Sequence, residues 1–422
     1  MAERNLYLKN TPVEEARAIY LERLKKLIRP RPVVLPVSQA LGRTTYRAVF
    51  ARLSSPFYNA AAMDGVAVIA AHTAGASEVR PRRLRLHEDF QPIDTGDPVL
   101  HPYDAVIMAE DINEVGAEEI EIMAAVSPWK YVRPVGEDFA HGEMILPGGH
   151  TVRAIDIGVL LAGGVTTIEV LASPRTAIIP TGSELLDPEA PAAQQPPPGA
   201  IIDSNSQMLA ALIREAGGAP ERLPIAPDDY ATLKRMISDA LTRCDVLIIN
   251  AGSSAGSEDY TVHILRELGE VLVHGVATKP GKPVILAVCA GKAVIGLPGY
   301  PLAAYYNFEN FVLPVLACFT GRSPAAREQV RAVLTQRLVS SLKYREYVRV
   351  KVGAVGGRLI CSPLSRGAAA MTSLVRADGF LVLEQQSEGA EAGAEVEVSL
   401  YRPLSEVGQT LVVVGSHDLI LD

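Results

Sequence analysis

Cysteine is scarce: Cys244, Cys289, Cys318 and Cys361 are scattered through 422 residues. No Cys-x-x-Cys pair occurs, so neither a zinc knuckle nor a disulfide framework is expected. The eight histidines never take His-x-x-x-His spacing, which argues against a zinc hydrolase. Apolar runs stop at about strand length, so no membrane-spanning helix is expected. The first ten residues are mixed polar and lack the apolar core of a secretory leader. No long Lys/Arg run exists, and the net charge is -8. A polyphosphate backbone needs a concentrated basic face, so nucleic acid is not an expected partner. The short basic patch Arg80–Arg85 alternates and reads as a solvated strand edge. These absences together predict a cytoplasmic protein without a membrane partner.

What is present is length and a globular balance, with 48% hydrophobic and 21% charged residues. That length predicts two to four domains. Thr11-Pro12-Val13-Glu14 opens a helix to about residue 26, because Thr11 can cap and Pro12 suits the first turn. Val13, Ala16, Ile19, Tyr20 and Leu24 form its apolar face. Residues 46–149 alternate in short segments broken by Gly, Pro and Asp, which reads as a mostly β domain. Helix 153–162 and a strand at 166–170 follow. Residues 1–45 and 150–173 are therefore expected to form one mixed linker domain, with the β region inserted.

Residues 174–323 differ in kind. Short unbroken apolar strands (177–180, 223–226, 246–249, 271–275, 284–288, 293–296) alternate with helices, the pattern of a doubly wound α/β domain. Residues 187–199 are rich in Pro, Ala and Gln and suit an extended surface loop. Strands return over 324–405, predicting a small C-terminal β-barrel. Residues 406–422 read as a tail that opens a further domain.

Ligands of a doubly wound sheet bind at the carboxyl ends of its strands. Gly252-Ser253-Ser254-Ala255-Gly256-Ser257-Glu258-Asp259 sits there. Its glycines allow close backbone approach to an anion, and the next helix offers free N–H groups. A plain helix-capping loop fits the same residues about as well. Lys279-Pro280-Gly281-Lys282-Pro283 holds two lysines close, and an anion would relieve their repulsion. Thr181-Gly182-Ser183-Glu184, Leu297-Pro298-Gly299-Tyr300, Asp203-Ser204-Asn205-Ser206 and Asp228-Asp229 add polar groups at helix starts. Each alone is more often a cap; together on one edge they favour a site. Ala62-Met63-Asp64-Gly65 is first of all a turn signal.

Ala-Met-Asp-Gly (62–65), Gly-Glu-Asp (136–138), Gly-x-Ser-x-Gly-x-x-Asp-Tyr (252–260), Lys-Pro-Gly-Lys-Pro (279–283) and Leu-Pro-Gly-x-Pro (297–301) occur in that order. Over residues 8–405 the set resembles the molybdopterin molybdenumtransferase family, which includes MoeA and the gephyrin E domain. The resemblance implies an elongated homodimer of four-domain subunits. It implies that adenylylated molybdopterin binds the α/β domain. Molybdate, or tungstate, would enter the dithiolene with Mg²⁺-dependent release of AMP. Gly252, Ser254 and Gly256 would hold the pyrophosphate. Asp228, Asp259 and Glu184 would position metal or water, and Lys279 and Lys282 the oxyanion. Ser204, Pro298, Gly299, Arg345, Arg349 and Ser373 would contact the cofactor. Asp64 would face Asp259 across the subunits as a catalytic group. A molybdopterin adenylyltransferase is an implied partner. The chain departs from the family pattern at Ala251, Ser183 and Tyr300, and around 56–61. Two other readings stay open here. One is a non-catalytic pterin- or oxyanion-binding sensor, and the other is a molybdopterin adenylyltransferase. The tail resembles the start of a periplasmic-binding-like domain that is fused to some relatives and truncated in this chain.

Overall fold

A computed structural model describes residues 10–251, 260–323, 326–367 and 371–409. The chain divides into two compact units: Met1–Arg31 with Ala172–Asp422, and Pro32–Leu171. Among the described residues no helix is long and apolar enough to cross a membrane.

Helix α1 spans Val13–Lys25. It packs Val13, Ala16, Tyr20 and Leu24 on the α/β sheet. The buried Tyr20 hydroxyl donates to the carbonyls of Val294 (3.0 Å) and Ala287 (3.3 Å), so its polar end is satisfied. Ile19, expected on the apolar face, is 39% exposed. The buried stripe is narrower than the sequence pattern suggests.

The Pro32–Leu171 unit is closed by its own ends. Strand β1 (Pro32–Pro36) pairs antiparallel with the last strand of the unit, Thr167–Leu171. Residues on either side of the β-rich stretch therefore meet. Within it, β2 (Gly65–Val68) is the centre of a three-stranded sheet. The short β3 (Arg82–Arg85) is an edge strand. It buries Leu84, and Arg83 and Arg85 lie 3.7 to 4.0 Å from Glu119 and Glu121 across the pair. β4 (Phe90–Ile93) and β5 (Ala105–Met108) flank β2, and β6 (Glu119–Ile122) pairs β3. Helix α2 (Ala154–Ala162) starts in a capping box, and β7 is the Thr167–Leu171 strand.

Asp156 of that box is buried. It accepts bonds from the Arg153 amide (2.8 Å), the Arg153 guanidinium (2.8 Å) and His150 Nε2 (2.6 Å). The Arg153 guanidinium is the main reason its carboxyl sits far below the ordinary range. A depressed folded pKa stabilises above the unfolded value and is lost as pH falls. The contribution is thus complete above about pH 4 and decays below it. Asp156→Ala is expected to cost about 2 kcal/mol at pH 7, through the lost cap and charged bonds. Urea unfolding at pH 7 and pH 3 checks it: the gap between variant and parent narrows at pH 3.

The α/β layer follows. Strand β8 is Arg175–Pro180, α3 Asn205–Glu215, β9 Ala219–Arg222, α4 Tyr230–Arg243 and β10 Val246–Ala251. Then come α5 Tyr260–Leu268, β11 Gly269–His274, β12 Ile285–Cys289 and β13 Lys292–Pro298. The sheet order is β9-β8-β10-β13-β12-β11, parallel from β9 to β13. Strands buried on both faces read as unbroken apolar runs. Ile178, Val246 and Ile248 face α1 and α3. Ala177, Ile179, Leu247 and Ile249 face α4 and α5. The strand expected at 223–226 lies instead at Ala219–Arg222. Its partly polar sequence, with Pro220, is tolerated because β9 is an edge.

One long terminal helix is interrupted. Helix α6 (Pro301–Asn307) passes through a π-turn, Phe308–Val312, into α7 (Leu313–Thr320). Pro314 in the first turn of α7 lacks the N–H that a continuous helix would use. Beyond it, β14 (Gln329–Leu334), β15 (Arg345–Val355), β16 (Arg358–Pro363), β17 (Gly379–Leu383) and β18 (Glu395–Leu400) close a five-stranded barrel. The ring runs β15-β16-β14-β18-β17 and back to β15. The fold is thus an α/β multidomain architecture with mostly β regions and a C-terminal barrel.

Candidate functional site

Parallel strands β9, β8, β10 and β13 end on one sheet edge, so the loops that follow them are neighbours. The structure shows how they are tied. The Ser183 amide donates to Asp228 Oδ2 (3.1 Å), and the Asp228 amide donates to Ser183 Oγ (3.2 Å). This reciprocal clasp joins the loop after β8 to the loop after β9. Asp228 stays exposed. Its neighbour Asp229 does the capping, accepting from the Thr232 amide at 2.8 Å, and that bond holds its carboxyl below the ordinary range. The Glu184 carboxylate folds back against Gly182.

Two asparagines extend the tie. Asn250, buried at the end of β10, donates to the Pro298 carbonyl (3.0 Å), and its own carbonyl accepts from the Thr181 amide (3.0 Å). Asn205, at the start of α3, donates to the Gly299 carbonyl at 2.6 Å. Pro298 and Gly299 are thereby fixed by their backbone oxygens. Asp203 caps α3 through the Ser206 amide (3.0 Å), and Ser204 lies 4.0 Å from Met371 sulfur. The sequence places Asn205 among the polar groups at helix starts and Asn250 at the entrance of the Gly/Ser loop, without marking either as a tie between loops. The available signal was a polar residue closing an apolar run, Val246-Leu247-Ile248-Ile249-Asn250. Gly252, Ser254, Gly256 and Asp259 lie outside the described residues, between β10 and α5. The tail from residue 410 lies outside them too.

The Lys279–Pro283 turn leaves a two-residue strand, Thr278–Lys279, that pairs Arg345–Glu346 of the barrel. The Lys279 side chain is exposed, and the Lys282 ammonium lies 5.8 Å from the Tyr344 ring centroid. Neither lysine forms an ion pair among the described residues.

The two barrel arginines have different surroundings. Arg345 is saturated: it bonds Glu384 (2.8 and 3.0 Å) and Glu14 of α1 (2.6 Å). These carboxylates hold its pKa up, and the arrangement is that of a structural link. Arg349 is 1% exposed and donates to Ser373 Oγ (2.8 Å) and the Ser365 carbonyl (2.5 Å). No described carboxylate pairs with it. A buried guanidinium without a carboxylate is costly, and it suits an anion.

In the other unit, the Asp64 carboxylate accepts from the Thr95 amide at 2.6 Å. Hydrogen bonding from Thr95 holds its carboxyl below the ordinary range, so it is ionised at neutral pH. Tyr58 donates to the Gly96 carbonyl (2.8 Å), and Asn59 Oδ1 accepts from the Val135 amide (3.1 Å). The segment 56–61 thus links the 95–96 turn to the residues preceding Gly136. Among the described residues no cluster of three or more metal-binding side chains exists.

Comparison with known proteins identifies the family. Residues 11–164 match the MoeA N-terminal region (domain I and II). Residues 177–317 match the "Probable molybdopterin binding domain", and 331–401 the MoeA C-terminal region (domain IV). A molybdopterin molybdenumtransferase 2 of Mycobacterium tuberculosis is 32% identical over 413 residues, covering 92% of this chain and 98% of that protein. Two crystal structures of molybdopterin biosynthesis MoeA proteins from Pyrococcus horikoshii are similar. One has TM-score 0.77 and 32% identity, covering 94% of this chain and all of its own. The other has TM-score 0.68 and 26% identity, covering 93% and all of its own. Three regions matched in order, with a relative aligned almost end to end, assign this chain to the MoeA family.

Proposed function

We propose that this protein is a molybdopterin molybdenumtransferase of molybdenum cofactor biosynthesis. It takes adenylylated molybdopterin and molybdate (or tungstate), places the metal oxyanion in the dithiolene and releases AMP. The observation that carries this reading is the tied sheet edge: Ser183 with Asp228, Asn250 with Pro298 and Asn205 with Gly299. These bonds fix four loops as one surface before any ligand arrives. Preorganised groups of this kind need no rearrangement at the moment of reaction.

Incoming oxyanion and leaving phosphate are both anions, so cationic groups must face them. Lys279 and Lys282 supply two charges free of described ion pairs. Asp228 and Glu184 are hard oxygen donors on adjacent loops. Mg²⁺ commonly uses one or two carboxylates together with substrate phosphates and water. The residues therefore fit Mg²⁺ without a three-ligand cage, with Asp259 as a further donor. When bound, the ion would neutralise phosphate charge and orient water. The loop with Gly252, Ser254 and Gly256 seats the pyrophosphate, and Ser204, Pro298 and Gly299 bound the pterin. Arg349, oriented by Ser373, offers a buried cation to the cofactor. Asp64 is ionised at neutral pH, and the family resemblance assigns it to this chemistry. The protein acts in the cytoplasm as a homodimer and receives its substrate from a molybdopterin adenylyltransferase.

Incubation with adenylylated molybdopterin, Mg²⁺ and molybdate is expected to release AMP in proportion to bound oxyanion. Absence of molybdate- or tungstate-dependent AMP release at saturation would overturn the assignment.

A further inference from the structure

We infer that Asn307 is a positioning residue that fixes the Lys279–Pro283 turn for oxyanion binding. The inference rests on the function proposed above. Asn307 ends α6 and is fully buried. Its Nδ2 donates to the Gly281 carbonyl at 2.8 Å. Gly281 has φ +111, and a Cβ there would lie 2.8 to 3.1 Å from the Asn307 amide atoms. The turn and the amide are packed face to face, so no side chain other than hydrogen fits between them.

Asn307 Oδ1 has no hydrogen-bond partner among the described residues. A buried acceptor left unpaired destabilises a fold. An apolar side chain of the same shape would avoid that cost but would leave the buried Gly281 carbonyl without its donor. What asparagine adds at this position is therefore its bond to the turn. Among the described residues its one side-chain bond falls on Gly281, between the two lysines. With Val276 N–H bonded to the Lys282 carbonyl (2.9 Å), two carbonyls of the turn are drawn inward. Their fixed direction determines where Lys279 and Lys282 leave the backbone. The adjoining π-turn is held from the other side, where Tyr347 donates to Asn310 Oδ1 at 3.0 Å. Asn307 thus sits on a short framework that runs from the barrel strand β15 to the cationic turn.

Asn307→Leu keeps the shape, deletes the donor and removes the orphan acceptor. The KM for molybdate is expected to rise at least tenfold, with kcat at saturating molybdate changed less than threefold. The KM for adenylylated molybdopterin stays constant, and the thermal midpoint falls only modestly, because the orphaned Gly281 carbonyl is offset by removal of the unpaired Oδ1. A purely structural role would move both KM values together, and that result overturns the inference. So does a molybdate KM within twofold of the parent. If the leucine variant does not fold, Asn307→Ser carries the same expectation. A parent protein without oxyanion-dependent AMP release removes the functional reading and this inference together. A fully active parent matched by its variant removes this inference alone.

Discussion

Gly65→Ala is expected to unfold the Pro32–Leu171 unit at temperatures the parent tolerates. Gly65 has φ +153, and an added Cβ would stand 2.0 Å from the Ile107 carbonyl oxygen. It would also meet Ala109 N at 2.8 Å and Met108 C at 2.9 Å. All three are backbone atoms of β5 and its continuation, so no side chain can swing aside. Gly65 pairs with Met108 on one side and Ile93 on the other, in the centre of a three-stranded sheet. Relieving the clash must separate β2 from β5. Val66, Val68, Ile107 and Phe90 pack across that same seam. Overpacking costs about 1–3 kcal/mol, and a disfavoured backbone conformation about 1–3 kcal/mol more. The sum, about 4 kcal/mol, is a large part of a domain's usual stability of about 5–15 kcal/mol. Thermal unfolding and limited proteolysis across residues 32–171 test it. A midpoint within about 2 °C of the parent would show that the sheet absorbs the methyl. Asp64 precedes Gly65, and its carbonyl accepts from the Ala109 amide at 3.0 Å. The same change therefore also removes the Asp64 carboxylate from its Thr95 anchor.

That turn shows what could be read in the residues and what could not. Asp-Gly signals a turn, but the bond between Asp64 and Thr95 spans 31 residues. The apolar runs of the α/β layer were legible because both faces of each strand are buried. Strand β9 was misplaced to 223–226, since an edge strand with Pro220 carries little apolar signal while Leu223 and Ala226 are buried beyond it. Helix α1 was legible as a helix and not in its docking. Nothing local in Val13 or Tyr20 names the sheet they cover. The site divides in the same way. Cationic and glycine-rich loops announce themselves by composition. Asn250, Asn205 and Asn307 act through carbonyls 48, 94 and 26 residues away. An amide in sequence carries no mark of the distant oxygen it will meet. The family resemblance supplied roles for Arg345 and Arg349 alike, yet their surroundings differ. Two carboxylates occupy the first, and among the described residues only neutral oxygens meet the second.

Asp228→Asn is expected to lower AMP release about 10²–10³-fold while leaving the fold intact. Asparagine has the same shape and keeps an oxygen that can accept from the Ser183 amide. The backbone half of the clasp, Asp228 N–H to Ser183 Oγ, is untouched. Asp228 is exposed, so stability should shift by no more than about 0.5 kcal/mol. What disappears is one negative charge at the edge where phosphate chemistry is proposed. If that charge holds Mg²⁺, raising Mg²⁺ should recover part of the lost rate by mass action. If it orients water, the loss should be independent of Mg²⁺. Ser183→Ala separates the clasp from the charge: it removes the hydroxyl acceptor and keeps the carboxylate. Its rate should stay within about tenfold of the parent, the scale of one neutral hydrogen bond of about 1 kcal/mol. An Asp228→Asn protein with undiminished turnover would reduce Asp228 to a loop fastener. The acid work would then fall to Glu184 and Asp259. The two variants ordered the other way, with Ser183→Ala the more damaging, would mean that the clasp matters more than the charge it holds.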